Sequence, residues 1–190
     1  MKVNYDIFFK EYRINFGSIK DVQTVTNLKL IIEASEIYSA STNQLAYILA
    51  TAYHETAHDF IPKYEYGNLE YFVRRYWLNT KVAKALGNTS AKEAFDTRGV
   101  GLVQITGRRN HQRFGILGNP SKGLEIGKAI EIIFVGMLEG FFTGAKLGKY
   151  VSTNSYNFKE ARRVVNGTDK ALLIAGYAEK FLIMLHKSEI

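Results

Sequence analysis

The sequence contains no cysteine and only two prolines, Pro62 and Pro120. Without cysteine there can be no disulfide framework, thiolate metal site or cysteine nucleophile, so stability must come from packing. Long apolar runs are also missing. The most apolar stretch, residues 130–142, is too short to span a bilayer and includes Glu131 and Glu139. We therefore expect no integral membrane segment.

The first residues lack the apolar core of a signal peptide, because charged side chains follow at Lys10, Glu11 and Arg13. We expect the protein to be made in a bacterial cytoplasm. With 190 residues, of which 46% are hydrophobic, the chain can bury a core of its own. We expect a single domain over residues 1–190, and a monomer.

The net charge of +7 indicates attraction to polyanions, such as nucleic acid or the anionic bacterial envelope. The basic residues occur in pairs, at 74–75, 108–109 and 162–163, and no nucleic-acid motif accompanies them. We therefore expect the envelope as the partner and no nucleic acid.

Helical periodicity dominates the chain, and strand-like alternation is absent, so the sequence predicts a mostly α protein. Ser41 or Thr42 is the expected N-cap of the second helix. The region 60–98 is richer in glycine, asparagine, tyrosine and charge, which indicates shorter helices and loops in a separate lobe or rim. The predicted long helices are roughly 21–39, 45–56, 130–141 and 174–185.

Glu55 lies near the end of the second predicted helix, at the edge of its apolar stripe. A carboxyl group in that position can be partly desolvated, which favours the protonated form that a general acid needs. The alternative is an ordinary surface glutamate, and helical spacing alone favours that alternative.

The same segment also fits a zinc-peptidase pattern, because His54 and His58 lie one helical turn apart with Glu55 between them. A catalytic zinc needs a third protein ligand. The other histidines, His111 and His186, lie in no second recognisable motif. A zinc peptidase therefore stays open as the alternative reaction.

A longer series of segments favours a glycosidase. Residues 98–110 read RGVGLVQITGRRN, and residues 161–170 read ARRVVNGTDK. Together with residues 45–57 and 62–67, they resemble glycoside hydrolase family 19, the chitinase-like proteins, and especially single-domain endolysins of bacteriophages. The resemblance implies a helix-rich, lysozyme-like fold of two lobes with a central sugar-binding cleft. It also implies hydrolysis of a β-1,4 bond beside an N-acetylated sugar, without metal or cofactor.

The resemblance implies that Glu55 donates the proton to the leaving oxygen and that Glu65 is the second carboxylate. The family inverts configuration, which requires carboxyl groups roughly 6.5–9.5 Å apart so that water fits between them. Thr106 would help hold that water, although it could instead cap the helix that starts near Gly107. The expected substrate-binding residues are Tyr64, Arg98, Gln104, Asn110 and Asn166.

Several of these residues have plainer alternatives. Gln104 could satisfy buried backbone groups, Asn166 could form a turn with Gly167, and Tyr64 could pack rather than stack on sugar. The chain also departs from the family pattern. Val100 stands where the family usually has arginine, with Arg98 close enough to compensate, and His111 stands where it usually has tyrosine.

From these residues we expect an enzyme that hydrolyses the glycan strands of peptidoglycan and reaches the cell wall after release from the cytoplasm. A chitinase acting on poly-N-acetylglucosamine is the alternative within the same chemistry. The zinc peptidase with His54 and His58 is the alternative enzyme class. A wall-binding protein without catalysis is the fourth possibility.

Overall fold

The computed structural model describes residues 2–190 and is mostly helical, which confirms the predicted fold class. Within these residues there are ten α-helices, a π-helical segment at Arg74–Leu78 and three short 3₁₀ turns. The helices are α1 Tyr5–Phe16, α2 Val22–Ile37, α3 Thr42–Glu55, α4 Leu69–Val73, α5 Thr80–Leu86, α6 Ala91–Asp96, α7 Arg108–Arg113, α8 Ile126–Leu138, α9 Phe158–Ala161 and α10 Ala171–Ser188.

The two strands are short, β1 at Lys63–Tyr64 and β2 at Val100–Gly101. They pair antiparallel, with Lys63 opposite Gly101 and Tyr64 opposite Val100. Strands of two residues carry no alternation, which explains why the sequence showed none.

The long helices agree with the periodicity except at their ends. Asp21 caps α2 through its side chain, and the helix ends at Ile37. Helix α8 begins earlier than expected, at Ile126. Helix α1 was not predicted, although Asn4 caps it with hydrogen bonds to two backbone N–H groups.

The chain forms two compact units. The first unit comprises the residues up to Phe60 together with Ile133–Ile190, and the second comprises Ile61–Ile132. In the first unit, α3 packs mainly against α10, whose buried residues include Phe181 and Leu185. Burial removes these apolar side chains from water, which stabilises the fold by about 25 cal/mol for each Å² of apolar surface buried.

Helix α3 is the most buried helix of the first unit. Every residue from Leu45 to Tyr53 is buried, so the one-sided apolar stripe predicted for this helix is wrong. Helices that are apolar all round are covered on all sides. The helix starts with a capping box in which Ser41 and Gln44 exchange hydrogen bonds, so Ser41 and not Thr42 is the N-cap.

The second unit contains α4 to α7, the π-helical segment and both strands. Its helical part surrounds a small apolar cluster of Phe72, Tyr76 and Ala94, with Trp77 and Phe95 packed against it. The expectation of short helices between residues 60 and 98 is confirmed.

No helix within residues 2–190 combines the length and the apolar character that crossing a membrane requires.

Candidate active site

Glu55 is the last residue of α3. A negative charge is unfavourable there, because the exposed carbonyl groups give a helix C-terminus a partial negative charge. Arg162 compensates for it: Nη1 of Arg162 donates a hydrogen bond of 2.9 Å to Oε1 of Glu55. The Arg162 side chain is only 3% exposed, whereas that of Glu55 is 20% exposed. A buried cation therefore holds a carboxylate that still reaches solvent.

Arg162 is itself fixed from a second side. Its Nε donates a hydrogen bond of 2.9 Å to the backbone carbonyl of Asp169. The residue lies in the 3₁₀ turn Arg162–Val164, directly after α9. A planar guanidinium held at two edges has little rotational freedom. The orientation of the Glu55 carboxylate is thus determined by a rigid partner.

Tyr47 and His54 lie in the electrostatic surroundings of this ion pair. Burial raises the pKa of Tyr47, with Arg162 opposing and Glu55 adding to the shift, so its hydroxyl stays protonated. That hydroxyl is buried and has no hydrogen-bond partner among residues 2–190. Burial lowers the pKa of His54, while the nearby Glu55 opposes this shift. We call Glu55, Arg162, Tyr47 and His54 the Glu55 group.

The backbone beyond Glu55 is strained. Ala57, His58 and Phe60 have φ values of 56°, 80° and 54°, in the left-handed region that residues with a side chain rarely adopt. Thr56 stabilises this turn, because its hydroxyl donates to the carbonyl of Ala52 and accepts from the N–H of Phe60. Strain of this kind is concentrated at functional sites, since the surrounding structure must offset its cost.

Glu65 follows β1 in the second unit and is held by two donors. The Tyr76 hydroxyl lies 2.8 and 2.9 Å from its two carboxylate oxygens, and the backbone N–H of Gly99 donates to Oε2 at 3.2 Å. The N–H of Glu65 in turn donates to the carbonyl of Gly99 at 2.7 Å. Burial, together with the hydrogen bond to Glu65, raises the pKa of Tyr76, so the hydroxyl remains a donor.

Gln104 lies beside this carboxylate. A Cβ atom at Gly99 would lie 3.0 Å from the Gln104 Oε1 and 3.1 Å from the Glu65 Oε2, so a larger residue there would force these side chains to shift. The amide nitrogen of Gln104 donates to the carbonyls of Lys63 and Gly101, at 2.8 and 3.0 Å. Gln104 thus satisfies backbone groups through its nitrogen, and it also lies next to the candidate carboxylate.

Thr106 and Asn110 belong to the same part of the second unit. The Thr106 hydroxyl donates to the carbonyl of Gln104 at 3.1 Å, and the Asn110 amide donates to the carbonyl of Thr106 at 2.9 Å. No side chain caps α7, whose N-cap is Gly107, so Thr106 does not have the capping role considered as its alternative. We call Glu65, Tyr76, Gly99, Gln104 and Thr106 the Glu65 group.

The remaining predicted binding residues have different environments. Asn166 is exposed in the first unit, and its N–H donates to the carbonyl of Arg162. Arg98 lies over the ring of Tyr64 in the second unit, with 4.1 Å from the guanidinium carbon to the ring centre. Among the neighbouring tyrosines, Tyr71 packs against Phe72, whereas Tyr66 is 94% exposed.

The two departures from the family pattern are both buried. Val100 lies in β2 and is fully buried, and its side chain fills the space beside Gly123. His111 is fully buried in α7, with Nε2 lying 3.3 Å from the carbonyl oxygen of Ile105. Burial lowers the pKa of His111. Both residues therefore serve packing in this chain.

The histidines of the zinc-peptidase pattern show no metal-binding arrangement. The ring of His58 stacks on Tyr53, with 4.2 Å between the ring centres. Within residues 2–190, no group of three or more histidine, cysteine, aspartate or glutamate side chains is placed to hold a metal ion. The third ligand that the sequence did not supply is thus missing from the described structure as well.

Sequence reasoning overlooked two residues that hold the carboxylates, Arg162 and Tyr76. The sequence marks Arg162 only as part of a basic pair within the segment 161–170, and it does not single out Tyr76. The run ARRVVNG contained the available signal for Arg162, because an arginine within a matched motif warrants a search for its carboxylate. No local signal marks Tyr76, which lies in the π-helical segment Arg74–Leu78.

Comparisons of this chain with protein-family models, with curated proteins and with solved structures find no match.

Proposed function

We propose that this protein is a glycoside hydrolase that cuts β-1,4 bonds in the glycan strands of bacterial peptidoglycan. Glu55 protonates the leaving oxygen, and Glu65 activates the attacking water, so that the anomeric configuration is inverted. Thr106 helps to hold the water. The reaction class comes from the resemblance of the sequence motifs to chitinase-like endolysins, and the side-chain environments of the two carboxylates support it.

The observation that carries the proposal is the Glu55–Arg162 pair. Burying a guanidinium costs several kcal/mol unless it is paired and hydrogen-bonded. Here the buried cation is used to orient a carboxylate that is 20% exposed, at the end of a fully packed helix. Arg162 and the packed helix fix the direction of the Glu55 carboxyl group while leaving it open to solvent, so the group can come within hydrogen-bonding reach of a leaving oxygen, as general acid catalysis requires.

Glu65 supports the same chemistry. Hydrogen bonds from Tyr76 and from the Gly99 N–H orient its carboxylate, as the positioning of a base toward water requires. The Gln104 side-chain oxygen lies close to it beside Gly99, and the Thr106 hydroxyl belongs to the same unit. An inverting glycosidase requires two carboxyl groups, one as the general acid and one as the general base.

The decisive experiment replaces Glu55 with glutamine. The amide keeps the shape and can still accept a hydrogen bond from Arg162, but its N–H groups are too weakly acidic to protonate the leaving oxygen. We expect the release of reducing ends from purified peptidoglycan to fall by about 10²–10⁴-fold, the usual contribution of a general acid. Glu179→Gln is the matched control, because Glu179 is an exposed helix carboxylate of the same unit, and this variant should retain full activity.

Undiminished lysis by Glu55→Gln, with circular dichroism unchanged, would contradict the proposal. Proton NMR of the earliest product tests the inverting mechanism, because an inverting enzyme releases the α-anomer first. Retention of configuration would remove Glu65 from the role of base. Parallel assays on chitin oligomers measure the preference between the two polymers, and mass spectrometry of the products identifies the bond that is cut.

A further inference from the structure

A pocket of about 570 Å³ opens on the surface of the second unit. Its wall includes Tyr64, Arg98 and several charged residues of α6 and the segment around it. This volume accommodates a small polar group such as an amino acid or a short peptide. The assigned catalytic residues are not part of its wall.

The two acidic side chains in the wall are already neutralised. Asp96 forms an ion pair with Lys92, one helical turn away. Glu93 forms an ion pair with Arg108, and its other oxygen accepts hydrogen bonds from the N–H and the hydroxyl of Thr89. Each carboxylate therefore has its own cationic partner. Among the charged residues of the pocket wall, Arg98 is therefore the one without an ion-pair partner among residues 2–190.

Arg98 has no carboxylate partner among residues 2–190. Its guanidinium carbon lies 4.1 Å from the ring centre of Tyr64 and 4.4 Å from that of Phe95. Aromatic rings attract a cation through their faces but do not neutralise it. One in-plane hydrogen bond, of 3.0 Å from Nη1, is made to the carbonyl of Phe95. The rings and this bond restrict the side chain and leave the other in-plane N–H groups for a ligand.

The free N–H groups of a guanidinium lie in one plane, and a carboxylate presents two oxygens in a matching plane. We propose that this pocket binds a carboxylate of the wall polymer, which pairs edge-on with Arg98. The choice of polymer rests on the proposed function. Peptidoglycan carries carboxylates on its peptide stems and, where a stem has been removed, on the lactyl group of muramic acid. Chitin carries none, so the pocket favours peptidoglycan over chitin.

The first test is binding, measured by NMR titration of the whole protein. The probes are the tripeptide L-Ala-D-Glu-L-Lys, the same peptide with its carboxylates converted to amides, and N-acetylmuramic acid. We expect the tripeptide or the sugar acid to bind, and the amidated peptide to bind at least 10-fold more weakly, because the charge-assisted pair is lost. Binding of only one acid identifies the source of the carboxylate. Equal binding of acid and amide, or no binding of either acid, overturns the inference.

The second test changes the protein. Arg98→Gln should weaken binding of the acidic probe about 10-fold or more, whereas Arg74→Gln, an exposed arginine of the same unit, should leave it unchanged. Arg98→Lys keeps the charge but loses the planar fork, so its affinity should lie between these two. The ratio of kcat/KM on peptidoglycan to that on chitin oligomers should fall in Arg98→Gln in proportion to binding.

The two proposals fail separately. Glu55→Gln should bind the acidic probe as tightly as the unmodified chain does, because Glu55 is not among the residues that line the pocket. Full lysis by Glu55→Gln overturns the proposed function and leaves the binding result standing. Unchanged probe affinity in Arg98→Gln overturns the carboxylate pocket and leaves the hydrolase proposal intact.

Discussion

Replacing Arg162 with methionine removes the buried cation that orients Glu55. Methionine fills a similar volume, so the substitution tests the charge rather than the packing. The Glu55 carboxylate then lacks its 2.9 Å partner at a helix end that already disfavours negative charge. The backbone carbonyl of Asp169 also loses its donor. We expect a less stable protein in which the candidate acid is no longer held in one direction.

The magnitude follows from the burial of the two groups. Breaking a fully buried ion pair by removing one partner costs about 3–5 kcal/mol. The Glu55 side chain is 20% exposed, so water stabilises part of the remaining charge, which reduces this cost to about 2–3 kcal/mol. The lost bond to Asp169 adds about 1 kcal/mol. The free energy of unfolding should therefore fall by about 3–4 kcal/mol.

A double-mutant cycle with Glu55→Gln measures the pair itself. Glu55→Gln alone should cost about 2–4 kcal/mol, because it leaves the buried Arg162 cation without a counter-charge although the neutral amide still accepts a hydrogen bond. The double variant has no unpaired carboxylate, so its loss should be smaller than the sum of the single losses by about 2 kcal/mol. Unfolding in urea should be followed by far-UV circular dichroism. The single tryptophan, Trp77, lies in the other unit and is not a suitable probe.

Additive losses, within about 0.5 kcal/mol, would refute the reasoning, because they would show that Arg162 and Glu55 do not interact. Arg162→Lys provides a further check. It keeps a positive charge but cannot bind Glu55 and the Asp169 carbonyl from two edges of one plane, so it should recover only part of the lost stability. Complete recovery by lysine would show that charge alone suffices and that the fixed orientation is unimportant.

Two further predictions concern the second unit. Tyr76→Phe removes the hydroxyl that donates to both oxygens of Glu65, so it should cost about 1.5–3 kcal/mol in stability and lower kcat more than it raises KM; an unchanged kcat would contradict the positioning role. His111 is buried with a lowered pKa, so the unfolded chain takes up a proton at higher pH than the folded chain does. The stability that the neutral imidazole contributes is fully present above the unfolded pKa of about 6.5 and should be lost progressively as the pH falls below it. Urea unfolding at several pH values should show this decrease, and His111→Gln should show a smaller one, because His54, whose pKa burial also lowers, remains; the same slope in both proteins would show that His111 is not the cause.

Local chemistry was sufficient to predict the long helices α2, α3, α8 and α10, but not α1. The apolar spacing and Ser41 led to α3 because a capping box and a helical period involve residues only a few positions apart. The same spacing predicted that α3 is buried along one stripe, whereas the helix is buried on all faces. How many neighbours cover a helix depends on distant segments such as α10, and periodicity within the helix does not report them.

The candidate site likewise combines features that the sequence determines with features that only the tertiary structure decides. The sequence by itself determined the helical class, the helix that carries Glu55 and the choice of Glu55 and Glu65 as carboxylates of interest. Only the tertiary structure decided what holds each of them. Arg162 is 107 positions from Glu55 along the chain, and Tyr76 reaches Glu65 from a π-helical segment. These contacts depend on the tertiary fold. A buried charge must be paired with a group that is close in space, whatever their separation along the chain.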